Sequence, residues 1–303
     1  MSVDIGNKLN PCMYCGLPAE KILRENCGPI LRIRCPECNR ALSGASFDEL
    51  DDEWNRVNEM RPVAEICADD IFHVHTYRCK HAGDEEDEEY VRRAIELGAK
   101  RIIFTDHAPF PGNPFGNRMD IEELPEYIAS LKKLADRYIK YISVQIGLEI
   151  EYLPSFDEYY RKLAANEDIR WLIVGQHFYE YEPGVYSFSD STEVKNQCEA
   201  YGLMEAMLTA CDTGYFRVIA HPDRAFRRKR NWTEDMAEMS EKLIRSAREN
   251  GIALEQNISS KKRKHQYWNE FWELADTIAN EEEGKPLLLI KGADAHSVAE
   301  LVL

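Results

Sequence analysis

The sequence predicts an α/β chain: a seven-stranded (β/α) barrel preceded by a small N-terminal zinc ribbon. Three observations carry this expectation. From residue 70 onward, seven short apolar runs alternate with longer amphipathic segments. Histidines and carboxylates follow nearly every one of those runs. Two Cys-x-x-Cys pairs lie near the start of the chain.

The first unit covers residues 1–61. Cys12-x-x-Cys15 and Cys35-x-x-Cys38 offer four thiolates at a spacing that suits one tetrahedral structural zinc. Gly16 follows the first pair and Pro36 lies inside the second, so each pair fits a tight knuckle. Cys27 lies between the pairs and is not an expected ligand. So short a segment buries little core, and a bound ion would supply much of its stability. A short helix is expected over 47–55. Pro62 marks the boundary with the second unit, residues 62–303.

In the second unit, strands are expected over 71–74, 102–105, 144–150, 171–175, 217–220, 252–255 and 287–290. Helical patterns over 87–97, 122–138, 156–165, 194–213, 234–250 and 267–279 lie between most of them. Gly98 is placed to stop the first of these helices. The acidic run 84–89 reads as a solvated helix start favoured by the dipole. Tyr267, Trp268, Phe271 and Trp272 recur at helical spacing and are expected in the core. Only seven residues follow His296, so the last helix of the barrel is expected to be missing or very short. Strand–helix alternation implies a parallel sheet. An open sheet gathers its site at one switch point, whereas a barrel collects side chains from nearly every strand at its C-terminal mouth. The polar residues here follow nearly every strand, which favours the barrel.

Composition narrows the function. A hydrophobic share of 44% and a charged share of 30% are ordinary for a soluble globular chain. No run of 18 apolar residues and no apolar N-terminal leader is seen, so a cytoplasmic protein without a membrane span is expected. Nine cysteines then point to metal or incidental thiols rather than a disulfide framework. A net charge of −16 argues against broad nucleic-acid or anionic-membrane binding and suits a chain that holds several cations.

Seven of the 8 histidines fall at or just after an expected strand end; His265 does not and is read as surface. His73 and His75 stand two apart, a spacing that puts both on one face of a strand. His81 follows a short turn later. Asp106 and His107 follow the second strand, Glu149 ends the third, and His177 follows the fourth. His221 and Asp223 follow the fifth; Asp294 and His296 follow the seventh. This is too many donors for one ion. Mixed imidazole and carboxylate ligands suit zinc, manganese or iron, and this set could hold two or three such ions. Clustered divalent ions make hydroxide from water and clamp a phosphoryl group, so metal-assisted phosphoester hydrolysis is the expected chemistry.

These residues resemble the PHP (polymerase and histidinol phosphatase) superfamily, in its histidinol-phosphatase branch. The matching segments are His73-Val74-His75-Thr76-Tyr77-Arg78-Cys79-Lys80-His81, Phe104-Thr105-Asp106-His107-Ala108-Pro109 and Gly147-Leu148-Glu149-Ile150-Glu151-Tyr152. Gly175-Gln176-His177-Phe178, Ala220-His221-Pro222-Asp223 and Asp294-Ala295-His296 continue the match. The resemblance implies a distorted seven-stranded barrel with a trinuclear metal site. It implies that His73, His75, Glu149 and Asp294 hold one ion, and that Glu149 bridges to a second held by His177 and His221. His81, His107 and His296 would hold a third, and a bridging hydroxide would be the nucleophile. Asp106 would orient ligands or handle a proton. Asp106, Glu149 and Asp294, together with Arg224 of a basic run outside the family pattern, are the expected catalytic residues. The sequence departs from the family at Ala293, often Ser, and in the basic run after Asp223. The first unit resembles the zinc ribbon of restriction-alleviation-type small proteins, closed by Trp54-Asn55. What such a ribbon contacts is left open.

Two basic runs, 224–230 and 261–264, follow strands whose ends face the expected site. Arg118, Arg224, Arg227 and Arg228 are the expected substrate-binding residues, with Asn117 also reaching the mouth from the Pro/Gly-rich loop 109–118. The expected function is hydrolysis of a small phosphate monoester such as histidinol phosphate. Two alternatives stand beside it: a nuclease or phosphodiesterase of the same superfamily, and a barrel that binds metal without catalysis.

Overall fold

A computed structural model describes residues 9–12, 17–37, 40–57, 66, 68–188, 199–263 and 266–303. Cys15, Cys38 and His265 lie outside the described residues. The N-terminal unit is an antiparallel sheet of β1 (Leu23–Asn26), β2 (Leu31–Arg34) and β3 (Ala41–Gly44), covered by α1 (Phe47–Val57). It has its own core, in which Leu50 and Trp54 of α1 meet Ile22, Ile33 and Leu42. Cys12 and Cys35 are buried in that core. The Cys12 amide donates to Leu17 O (2.9 Å) and the Cys35 amide to Arg40 O (2.8 Å). Trp54 Nε1 donates to Asn10 O (3.0 Å), and Asn10 donates two further hydrogen bonds to Asn55, from N to Oδ1 and from Nδ2 to O. The Trp-Asn pair thereby ties the helix back to the first cysteine.

The second unit runs β4 (Asp70–Val74), α2 (Asp87–Glu96), β5 (Arg101–His107), α3 (Leu124–Arg137), β6 (Ser143–Ile150), α4 (Asp157–Ala164) and β7 (Trp171–Val174). It continues with the hairpin β8 (Phe178–Glu182) and β9 (Val185–Phe188), then α5 (Glu199–Cys211), β10 (Val218–Ile219) and α6 (Glu234–Asn250). β11 (Ala253–Asn257), α7 (Ile258–Lys262), α8 (Asn269–Ala279) and β12 (Leu289–Gly292) complete it. Each of the seven expected strands is present. They pair in parallel in the order β4-β5-β6-β7-β10-β11-β12.

The two ends of this sheet meet. Ala293 N donates to Phe72 O (2.8 Å), Ala295 N to His73 O (3.1 Å) and His75 N to Ala295 O (2.9 Å). The sheet is therefore a nearly closed barrel; among the described residues a single turn, Val298–Glu300, follows β12. Alternate strand residues serve two cores, as expected of parallel strands covered on both faces. Phe72, Ile103, Trp171, Ile173, Val218, Ala253 and Ile290 fill the barrel interior. Ile71, Ile102, Phe104, Leu172, Val174, Ile219 and Leu254 face outward into one cluster with the helices.

The structure corrects several local expectations. Asp87, in the acidic run, is buried rather than solvated, and Arg78 grips it with a fork (2.7 and 3.0 Å). The β8–β9 hairpin was not anticipated. Lys261 and Lys262 of the basic run 261–264 end a short helix, α7 (Ile258–Lys262), capped by Asn257 Oδ1 accepting from Ser260 N (2.7 Å). Asp223 turns away from the barrel mouth: its Oδ2 accepts from Trp268 N (2.8 Å) and Trp272 Nε1 (3.1 Å), fixing the start of α8. No helix among the described residues is long and apolar enough to cross a membrane.

Gly147 on β6 shows how tightly the strands are set. A Cβ there would lie 2.6 Å from both Trp171 Cβ and Trp171 O on β7. Gly147→Ala should destabilise the metal-free protein by about 1–3 kcal/mol, the usual cost of overpacking, or more because a backbone atom must move. Urea denaturation measures it, and unchanged stability would contradict this β6–β7 packing.

Candidate metal centre

β4 supplies the first two histidines, and it does so from a bulge. The β4–β5 register slips between Phe72 and Val74, and His73 takes a positive φ of 67°. The two-residue repeat that would align His73 with His75 is therefore broken, yet their rings still converge, with centroids 5.0 Å apart. His221 (φ 33°) and Asp294 (φ 50°) are also left-handed. Such backbone costs on the order of 1–3 kcal/mol per residue and persists only where the surroundings enforce it.

Glu149, at the end of β6, is the hub. Its Oε1 lies 2.9 Å from His221 Nε2. Its Oε2 lies 3.1 Å from His107 Nδ1, 3.4 Å from His73 Nε2 and 3.5 Å from His75 Nε2. Asp294 Oδ1 approaches His75 Nε2 (3.3 Å) and His73 Nε2 (3.8 Å). His81 and His296 place their Nε2 atoms 3.0 Å apart. Each of these two rings also sets Nδ1 against a carbonyl oxygen, Cys79 O at 2.8 Å and Asp294 O at 3.2 Å. An Nδ1 facing a carbonyl carries the proton, so two Nε2 lone pairs face each other, a contact that a cation held by both would relieve.

Five trios of donors have all their ligand atoms within 4.8 Å: His73/His75/Asp294, His73/Glu149/His221, His75/His107/Glu149, His81/His107/His296 and His75/Cys79/His296. Eight of the nine expected ligands fall in these trios. His177 falls in none of them, but its ring lies 5.0 Å from His221 and 5.3 Å from His107. His73 Nε2, both nitrogens of His75, His107 Nδ1 and Glu149 Oε2 are buried without hydrogen bonds. Buried polar atoms are normally paired, so His73 Nε2, His75 Nε2, His107 Nδ1 and Glu149 Oε2, which face one another, fit a group of divalent ions.

The field divides the cluster. Burial works against charge on His73 and His75, but Glu255, Glu149 and Asp294 hold His73 well above its ordinary pKa. Asp106 and Asp294 lift His75 to about 9. Burial raises Glu149 and Asp294, yet the surrounding histidines pull both well below the carboxylate range. Burial depresses His81 and His107, and takes His296 to about 3, so these three stay in the neutral, ligating form. One side of the cluster attracts positive charge and the other offers neutral imidazoles.

Around the donors lies a layer of carboxylates. Glu255 Oε1 is 2.6 Å from His73 Nδ1, and Glu151 Oε1 is 3.1 Å from His177 Nδ1. Asp106 faces His75 Nδ1 at 3.6 Å. It is pinned by the Thr76 amide and hydroxyl and by the His107 amide (2.8 Å). Asp106 thus orients a ring rather than joining a donor trio. The sequence reading assigned no role to Glu151 or Glu255. Glu255 could have been suspected from its place at a strand end, and Glu151 from its place two residues after Glu149.

A cleft of about 380 Å³ opens over His81, His107, His177 and His296. Asn117, Arg118, Arg224, Ser259 and Arg263 line it, with Phe178 and Phe188 as an aromatic wall. Arg118 is 4% exposed, and its fork is occupied by Glu151 (2.8 and 3.0 Å) between the rings of Phe110, Phe115 and Phe178. The loop it belongs to is thereby pinned. Arg227 and Arg228 are not among the lining residues, and Arg228 Nε lies 2.9 Å from the Glu199 carboxylate.

Comparison with known proteins agrees with this site. A family profile for the PHP domain matches residues 72–259. The "Probable histidinol-phosphatase" of Deinococcus radiodurans is 29% identical over 163 residues, which cover 50% of this chain and 59% of that protein. The histidinol-phosphatase of Bacillus subtilis is 23% identical over 254 residues, 76% of this chain and 94% of that protein. The structure of a Lactococcus lactis histidinol phosphate phosphatase complexed with zinc, L-histidinol and phosphate superposes with a TM-score of 0.57. It is 20% identical and covers 76% of this chain and 86% of that one. The profile spans more than half of the chain and the fold agrees: the chain belongs to the PHP domain family.

Proposed function

We propose that the protein is a metal-dependent phosphomonoesterase acting on a small phosphorylated metabolite, with histidinol phosphate the first candidate. The observation that carries this is the convergence of eight imidazole and carboxylate donors at one barrel mouth, with His177 beside them and buried atoms without hydrogen bonds among them. In this reading His73, His75, Glu149 and Asp294 hold one ion, and Glu149 is shared with a second at His177 and His221. His81, His107 and His296 hold a third. Zinc, manganese or iron suits such donors, and two to three ions are expected. When bound, ions of this kind lower the pKa of water and polarise phosphoryl oxygens.

The protein's own groups do the rest. Asp106 keeps the His75 ring aimed into the cluster through its contact at 3.6 Å. Arg224 and Arg263 reach the cleft, where guanidinium forks suit phosphate oxygens. Arg118 shapes the wall through Glu151 and leaves direct anion contact mainly to those two. Phe178 and Phe188 offer a flat face to the organic part of a substrate. The relatives named above, two histidinol phosphatases and a structure with histidinol and phosphate bound, support the substrate proposed.

We also propose that residues 1–61 are a separate ribbon domain, holding one zinc through Cys12, Cys15, Cys35 and Cys38. The burial of Cys12 and Cys35 in its core supports this, as do the hydrogen bonds of their amides.

Glu149→Ala should reduce turnover of histidinol phosphate and p-nitrophenyl phosphate to background and lower the metal content, with the fold kept by circular dichroism. Full activity in a metal-analysed variant would remove Glu149 from the centre. Wild-type protein that cleaves short single-stranded DNA but neither monoester would favour the nuclease reading. Cys35→Ser should cost the protein one zinc and the N-terminal unit its stability, while elemental analysis still finds the barrel ions. Loss of all ions together would contradict the division into two domains.

A further inference from the structure

Glu255 stands apart from the other buried carboxylates at the mouth. It is 0% exposed, at the end region of β11, and belongs to none of the donor trios. Among the described residues no lysine or arginine pairs with it, whereas Glu151 has the fork of Arg118. A buried carboxylate without a cation is costly, so its partners have to account for it. There are three. His73 Nδ1 lies at 2.6 Å from Oε1; the His221 amide donates to Oε2 (3.1 Å), and so does Asn257 Nδ2 (3.1 Å). Asn257 cannot reverse its amide freely, because its Oδ1 already accepts from Ser260 N (2.7 Å). The surroundings also make room. A Cβ on Gly292 of β12 would lie 1.6 Å from Glu255 Oε1 and 2.5 Å from its carboxyl carbon. The barrel thus reserves a glycine on the neighbouring strand for this one carboxylate.

We propose that Glu255 is a positioning residue of the metal centre, holding His73 as the Nδ1–H tautomer and tying it to the β10 end that carries His221. An ionised Glu255 only accepts hydrogen bonds, so His73 Nδ1 must donate, and the lone pair of Nε2 is left facing Glu149 and Asp294. A carboxylate behind a ligating imidazole also strengthens it as a donor. Because the same carboxylate accepts the His221 amide, one group sets the positions of two expected ligands that lie on different strands and far apart in sequence. That amide contact accompanies the left-handed backbone at His221 (φ 33°).

Glu255→Gln is the decisive change. The amide must point its NH₂ either at His73 or at the donors of His221 and Asn257. The first choice moves the ring proton to Nε2 and blocks ligation; the second sets donor against donor. This inference rests on the cluster being a metal centre, and its readout is binding rather than turnover. Zinc and manganese are titrated into metal-free wild-type and Glu255→Gln protein by calorimetry, with elemental analysis after dialysis. Affinity should fall about 10–100-fold, or one ion per chain should be lost. Gly292→Ala should shift binding in the same direction, since its methyl group displaces Glu255 although Gly292 is no ligand. It serves as the test should the Gln variant not fold without metal. Wild-type affinity and stoichiometry in either folded variant would overturn the proposal. Metal binding that depends on Glu255 in a protein with no phosphatase activity would leave it standing and remove the proposed function instead.

Discussion

The site depends on the seam where the first and last barrel strands meet. Three backbone hydrogen bonds link residues 72–75 to residues 293–295. Each side of the seam carries one left-handed residue, His73 on β4 and Asp294 just past β12. A straight strand would send these side chains to separate faces or out along the sheet. The kinks turn both inward, so His73 Nε2 and Asp294 Oδ1 come within 3.8 Å. Closure also brings His296 onto His75 (ring centroids 4.1 Å) and onto His81 (4.7 Å). Groups from the two ends of the barrel sequence are thus joined by backbone pairing, not by long flexible side chains. The strain at the kinked residues is sustained because the ladder on both sides fixes them.

Space for charge is arranged as carefully as charge itself. Two buried carboxylates sit where a neighbouring strand carries a glycine: Glu149 against Gly175 and Glu255 against Gly292. A Cβ would fall 1.8 Å from Glu149 Oε1 at the first position and 1.6 Å from Glu255 Oε1 at the second. Neither glycine has a positive φ, so neither is needed for backbone freedom. Their role is steric, and it pairs one absent side chain with one long acidic one across adjacent strands.

Much of this was legible because function in a barrel is written at strand ends. Seven apolar runs gave seven strands, and the histidines after them gave the cluster, since burying imidazole at so many strand ends has little other purpose. What escaped the sequence depends on contacts with no local trace. Glu255 meets His73 across 182 residues, and its place at a strand end is the one local signal it carries. The basic run 224–230 looked uniform, but the tight turn Pro222–Phe226 sends Arg224 to the cleft while Arg228 reaches Glu199 on α5. His73 and His75 were grouped correctly from a two-residue spacing that the bulge at His73 in fact interrupts. The hairpin β8–β9 was missed because its strands are short and its apolar residues are aromatics that face the cleft and the loop 109–118.

The electrostatics bear on what can enter. A net charge of −16 repels polyanions at long range, whereas the cleft itself presents Arg224 and Arg263 beside the metal-type donors. A long nucleic acid would have to lay many phosphates along an acidic surface, and its binding normally depends on extended basic tracks. A small monoester places a single phosphate in the cleft, where Arg224 and Arg263 stand among the lining residues. A volume of about 380 Å³ with an aromatic wall suits a ligand of metabolite size. Charge distribution and cavity size therefore favour the same substrate class as the family resemblance, and they do so on independent physical grounds.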